Sequence, residues 1–347
     1  TQQVRLNDAM LNHLDHGMFM AYREKTQAGL TVQGCQGEPF YRFRYPLHHY
    51  ARFEDIPPMI WGGLLFIENR NLLDQTHPQQ NPAVDWVRFT RAALGQAAQV
   101  VSDDLDTPGG STLATQIEKY RHSPHGITHS GSEKIRQMAS AAVRAYLDGE
   151  DTLPARRRLV LDYINTVPLS AAPRHGEVNG MGDGLWVWFG ADFDQVNSDL
   201  KAPLRSGAHR LLQGQSLRRV VSLMIAHRRP SWYLGRGRGD LEESTSAYLR
   251  LLADNGVISP AWRDAALGQQ LQFRNMANNP PLQPVEADKG STLIRGRLSR
   301  MLQTSLYELD RVDARVDTTL HVDLQDKVSH FLAQLNQPPR FQKFLPA

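Results

Sequence analysis

From Phe53 onward one apolar segment follows another at helical spacing: IPPMIWGGLLFI, VDWVRFTRAALGQAAQVV, EKIRQMASAAVRAYL and ARRRLVLDYIN, in that order. Apolar residues three and four apart share one face of a helix, so this succession predicts a mainly α body. Further helices are expected at SLRRVVSLMIA, at LEESTSAYLRLLADNG with Asn255-Gly256 as its stop, and at SPAWRDAALGQQL. In the last of these Ser259 precedes Pro260 at the first helical position.

Residues 1–50 differ from this body. They mix short apolar pieces with Gly29, Gly34 and Gly37 and the aromatic-rich PFYRFRYPLHHY, whose alternation predicts strands or a hairpin, a β-containing lead-in. Residues 275–290, NMANNPPLQPVEADKG, are rich in Asn and Pro and read as a linker. The chain has 347 residues, 41% of them hydrophobic, enough for a real core. Its 39 Lys+Arg against 36 Asp+Glu leave +3, which does not force a nucleic-acid partner. A single cysteine, Cys35, excludes an internal disulfide framework. The apolar stretch from Ile56 to Ile67 contains Pro57 and Pro58 and falls short of the ~20 residues needed to span a bilayer. No export signal is expected in TQQVRLNDAM, which has neither a basic nor an apolar region. The absence of Met at position 1 leaves room for an upstream segment.

Three places suit chemistry. Glu68 ends the apolar run WGGLLFI and is followed by Asn69-Arg70-Asn71. A carboxylate at such an edge is open to partial desolvation, which raises its pKa toward that of a general base; the alternative is a solvated helix-end charge paired with Arg70. Pro108-Gly109-Gly110-Ser111-Thr112 leads into LATQIEKYR, where amide N–H groups and hydroxyls at a helix start favour phosphate, with Lys119 two turns on. The alternative there is an ordinary capped helix. Ser132-Glu133-Lys134-Ile135-Arg136-Gln137 opens another helix, and Lys134 and Arg136 suit a diphosphate. Taken alone, it is a solvated helix end.

Other patterns carry less. His122, His125 and His129 have ligand-like spacing but no carboxylate or Cys beside them, so no metal site is assigned. Ser198-Asp199-Leu200-Lys201 matches S-x-x-K, yet no S-x-N or K-T-G accompanies it, so an acyl-serine site is not expected. His227, Arg228, Arg229, Trp232, Tyr233, Arg236 and Arg238 form a basic and aromatic cluster suited to nucleic acid or an anionic membrane surface, with the second preferred.

Taken in order, these segments resemble the glycosyltransferase domain of class A penicillin-binding proteins and monofunctional transglycosylases. FEDIPPMIWGGLLFIENRNLL is similar to the family's E-D-I-P-P followed by an apolar helix ending in A-T-E-D-R-x-F. Asn81-Pro82-Ala83-Val84-Asp85-Trp86 is similar to H-P-G-V-D, GGSTLATQIEK to G-G-S-T-I-T-Q-Q-L-x-K, and SEKIRQ stands at S-R-K-x-K-E. LVLDYIN resembles I-L-E-x-Y-L-N, WFG the closing Y-F-G, AHRRPSWY the L-A-G-L-P-x-x-P-S-x-Y stretch, and VDTTLHVDLQ the connector toward a transpeptidase domain. The resemblance covers about Phe53 to Gln325.

The resemblance implies a mainly α, lysozyme-like glycosyltransferase domain at 51–235. A helical extension at 236–316 contains the linker 275–290, and a connector at 317–347 leads toward an absent downstream domain. It implies transfer of a glycan chain from a lipid pyrophosphate donor to a sugar hydroxyl of lipid II. Glu68 stands at the catalytic glutamate. Asn69, Arg70, Gly110, Ser111, Thr112, Gln116, Lys119, Lys134, Arg136 and Gln137 are the expected substrate-binding residues. A divalent cation such as Mg2+ is the one cofactor considered. Expected partners are lipid II or lipid-linked glycan, a membrane surface and cell-wall assembly proteins, without nucleic acid. The expected location is the periplasmic face of a bacterial inner membrane.

Departures from the pattern favour a rival, an inactive glycan-binding or scaffold domain. Asn69 replaces the acidic residue beside the catalytic glutamate, Leu72 replaces an aromatic, and Ala114 and Thr115 replace a T-Q pair. Gln137 stands where the second family glutamate is expected, and a glutamine cannot shuttle a proton. Glu133, one turn away on the same face, is a potential substitute. A glycan-cleaving, lysozyme-like enzyme is a third reading.

Overall fold

The computed structural model describes residues 28–83, 112–122, 131–279, 281, 289–309 and 313–335. Along the chain run β1 (Ala28–Gln33), β2 (Pro39–Tyr45), a 3-10 turn (Phe53–Asp55), α1 (Pro58–Glu68), α2 (Leu113–His122), α3 (Gly131–Ala145), α4 (Leu153–Thr166), β3 (Pro168–Ala172) and β4 (Gly176–Asn179). Then come α5 (Met181–Phe189), α6 (Phe193–Lys201), α7 (Ala208–Ala226), α8 (Arg238–Asp254), α9 (Pro260–Leu267), α10 (Lys289–Met301), α11 (Leu306–Leu309), β5 (Asp313–Asp317) and α12 (Val322–Leu335). The structure is mostly helical with few, small sheets, as the periodicity predicts. The expected segment VDWVRFTRAALGQAAQVV lies outside the described residues.

The described chain divides into two compact units, one from Pro46–Leu282 and one from Gln27–Tyr45 with Gln283–Ala347. The passage after Leu282 falls inside the Asn- and Pro-rich stretch 275–290. In the smaller unit β1 pairs antiparallel with β2, Leu30 opposite Phe43, and parallel with β5, Leu30 opposite Ala314. Leu30, Val32, Tyr41 and Leu309 form its buried core.

The larger unit is built around α7, whose residues from Gln213 to Ala226 are buried almost all round. It packs against α1, α5, α6, α8 and α9. Gly214 makes one of these contacts possible, because a Cβ there would overlap the Ala265 carbonyl of α9. Helix α1 starts with Pro58 at its first turn and runs through MIWGGLLFI, apolar on every side, so it is a core helix rather than a one-faced surface helix. Gly63 on it faces the Met224 thioether of α7 at a distance that leaves no room for more than a methyl. Helix α9 has the expected start: Ser259 caps it, accepting from the Trp262 amide, with Pro260 next.

The loop after α1 is pinned from α4. Arg156, fully buried, donates to the carbonyls of Leu72, Asp74, His77 and Pro78. Thr152 adds bonds from its hydroxyl to the Pro78 and Gln80 carbonyls. These donors satisfy backbone oxygens that the loop geometry leaves without helical or sheet partners. The loop that follows α1 is thereby tied to α4.

Candidate active site

Glu68 is the last residue of α1 and only 7% exposed. An apolar helix carries it inward, and three groups meet it there. Gln116 of α2 donates from Nε2 to Glu68 Oε2 at 3.3 Å. His227, the residue closing α7, brings Nε2 to 3.4 Å from Oε1, and the Arg228 guanidinium reaches the same oxygen at 3.4 Å. Behind them Tyr163 of α4 donates its hydroxyl to Gln116 Oε1 at 3.0 Å. Its ring stands edge-on to His227, the centroids 5.9 Å apart. Arg228 is held from the other side by the Tyr248 hydroxyl of α8 at 2.8 Å.

The electrostatics of this cluster run against the sequence expectation. Burial alone pushes the Glu68 carboxyl upward, but the hydrogen bond and charge of His227, the charge of Arg228 and the Gln116 amide outweigh it, holding the group down to about 2. Glu68 is therefore ionised through the physiological range. Its three contacts, at 3.3–3.4 Å, are longer than the 2.7–2.9 Å of a tight charge-assisted bond. The carboxylate keeps capacity to accept a further hydroxyl.

The remaining expected site residues divide. Asn69 is buried at the end of α1, with its backbone amide on the Leu65 carbonyl. Arg70 is exposed and folds back on its own helix, donating to the Phe66 carbonyl and lying 3.9 Å over the Phe66 ring. It does not pair with Glu68 as a solvated helix-end charge would. Thr112 is spent in a helix cap: its amide donates to the Thr115 hydroxyl, and the Thr115 amide donates back to the Thr112 hydroxyl. Gly110 and Ser111 lie outside the described residues, as does the side chain of Lys119. Lys134 and Arg136 are exposed on α3, and Gln137 on the same helix is buried. Among the described residues no cluster of three His, Cys, Asp or Glu side chains has the arrangement of a metal site, and no helix is long and apolar enough to cross a membrane.

Tyr163, His227 and Arg228 were not among the expected site residues. The sequence placed His227 and Arg228 in a basic cluster for a membrane or nucleic acid; the structure turns both onto Glu68. A cleft of about 510 Å³ near the 3-10 turn is lined by Arg52, Arg157 and Arg158 but also by Glu54 and Asp151. Each of its arginines is opposed by a carboxylate, Asp55, Glu54 and Asp148 respectively, so it offers no excess charge to an anion.

Residues 36–208 match the transglycosylase family model. Residues 36–208 are a transglycosylase-family domain. No curated protein matches the chain. The match supports a peptidoglycan glycosyltransferase-like function, on a helical fold consistent with the lysozyme-like architecture. Glu68, Gln116 and Tyr163 fall inside the transglycosylase segment, whereas His227 and Arg228 lie beyond it. Two of the three groups that touch the carboxylate therefore come from a part of the chain that the family match does not reach.

Proposed function

We propose that this transglycosylase-family domain polymerises the glycan of lipid II, with Glu68 as general base. The observation that carries the reading is a buried, ionised carboxylate with a permanent cation, Arg228, at 3.4 Å. In the proposed reaction Glu68 takes the proton of the acceptor sugar hydroxyl while the sugar oxygen attacks the anomeric carbon of the donor. The carbon–oxygen bond to the lipid pyrophosphate breaks, and its electron pair leaves with the phosphate. Positive charge close by stabilises the negative charge that develops there. Arg228, Lys134 and Arg136, together with Gly110, Ser111 and Lys119, are the proposed sources of that charge and of amide donors. Membrane surface, assembly proteins and the periplasmic face of a bacterial inner membrane complete the proposal.

A glycan-cleaving role is less well supported, because it needs a carboxyl that holds its proton near neutrality to give to a leaving group. Glu68 is pulled the other way. The non-catalytic alternative draws on Gln137 and on the donors that already occupy the Glu68 oxygens.

Polymerisation of lipid II by the full chain in detergent tests the reading. Polymer is expected, and Glu68→Gln should reduce its rate by about 10²–10⁴-fold, the usual worth of a general base. No polymer with lipid II binding retained would establish the scaffold role instead. Release of soluble fragments from purified sacculi would establish hydrolysis.

A further inference from the structure

We infer that His227 is the proton-sharing partner of Glu68: its ring, anchored through Nδ1 to the Met224 carbonyl, presents Nε2 to Glu68 Oε1, and imidazole and carboxylate bind and release one proton as a pair. The pairing stands on geometry alone; its role in catalysis rests on the transferase reading above.

His227 Nδ1 lies 2.5 Å from the Met224 carbonyl oxygen. A carbonyl only accepts, so the hydrogen sits on Nδ1 and the tautomer is fixed. Nε2 then carries either a lone pair or a second hydrogen, and it faces a carboxylate oxygen at 3.4 Å. Two lone pairs repel, so the contact is attractive only when one proton lies between the groups. Both side chains are shielded from water, 8% and 9% exposed, and each feels the other's charge with little screening.

Among the described residues the surroundings contribute no competing proton. Gln116 from α2 is uncharged, and Arg228 is a permanent cation on the same oxygen. Tyr163 from α4 meets the imidazole with its ring edge while its hydroxyl is committed to Gln116. Tyr248 from α8 bonds Arg228 rather than either member of the pair. Among the described residues, His227 is the side chain in contact with Glu68 that can both take up and give up a proton.

In the reaction the base-competent state is ionised Glu68 beside neutral His227, because only a neutral imidazole can take the proton onward. The acceptor O–H bond breaks as its oxygen bonds the anomeric carbon, the proton goes to Glu68, and it passes from there to Nε2. The pair ends as carboxylate and imidazolium, then loses the proton to water or to the departing pyrophosphate. Acid stops the reaction by loading the pair in advance.

Nitrogen-15 NMR of the full chain labelled at histidine tests the pairing without any substrate. In the wild type the neutral His227 ring should carry its hydrogen on Nδ1; a hydrogen on Nε2 alone would overturn the inference. In Glu68→Gln the Nε2 resonance should move, because the anion it faces is removed. An unchanged resonance also overturns the inference. In the polymerisation assay His227→Gln keeps a donor to Glu68 but cannot hold the transferred proton, so the acidic limb of kcat/KM should move toward lower pH. Lower activity with an unmoved limb would reduce His227 to a structural role. If the wild type makes no polymer, the transferase reading fails while the NMR result still decides the pair.

Discussion

The Tyr163 hydroxyl donates to Gln116 Oε1 at 3.0 Å, and that one bond sets which way the glutamine amide faces. With its oxygen occupied by the phenol, Gln116 can offer only NH2 to Glu68. Tyr163→Phe removes a neutral hydrogen bond worth about 1 kcal/mol and lets the amide turn. The expected result is a polymerisation rate lower by roughly 3- to 10-fold, about what that energy corresponds to, with little change in thermal unfolding. Equal rates in the two proteins would detach Gln116 from the reaction.

Glu68 also gives the fold an acid sensitivity. Its folded-state value of about 2 lies below the ordinary 4.5, so the folded protein binds the proton less readily than the unfolded chain. The resulting stability is complete above about pH 4.5 and is lost as pH falls toward 2. It amounts to at most about 3 kcal/mol, from 1.36 kcal/mol per unit. Urea unfolding between pH 2 and 6 should show a flatter pH dependence for Glu68→Gln than for the wild type.

Arg156 holds four carbonyls of the loop that follows the catalytic candidate. Arg156→Met fills similar volume but leaves those oxygens without their donor. A destabilisation of about 2–4 kcal/mol is expected by denaturant unfolding, since each unmet buried group costs ~1–3 kcal/mol and part of the loop would rehydrate. Hydrogen exchange should quicken in residues 69–83 before it does in α7.

Gly214 marks a close approach of α7 to α9. Gly214→Val should destabilise by about 1–3 kcal/mol, because the two helices must part to admit the side chain. Gly37 offers the control: a Cβ there meets no atom, although its positive φ of 80° still disfavours a branched residue, so Gly37→Asn is the gentler change.

Much of the helical body was legible because core helices leave apolar runs, as in Pro58–Glu68 and the Ser216–Ala226 part of α7. Helices α5 and α6 were not read as such. The first is short and lies among glycines, and the second is a mostly polar surface helix of nine residues. The lead-in strands were visible by alternation, but pairing of β1 with β5 was not, since local pattern carries no information about a partner so distant in sequence. At the site, Glu68 stood out by its position at the end of an apolar run. His227 and Arg228 did not, because a basic run looks the same whether it faces water or folds onto a carboxylate. The pairing of Arg70 with Glu68 that the sequence allowed does not form: two residues apart in the chain, Arg70 lies in space over the Phe66 ring.

The three-stranded sheet imposes an order on biosynthesis. Strand β1 can zip with β2 as soon as both leave the ribosome, but its other edge waits for Asp313–Asp317, about 280 residues later. At roughly 5–20 residues per second that is a delay of about 14–56 seconds. Throughout it the nascent hairpin leaves the β1 border unzipped, a docking line for chaperones or for a neighbouring polypeptide on the same messenger.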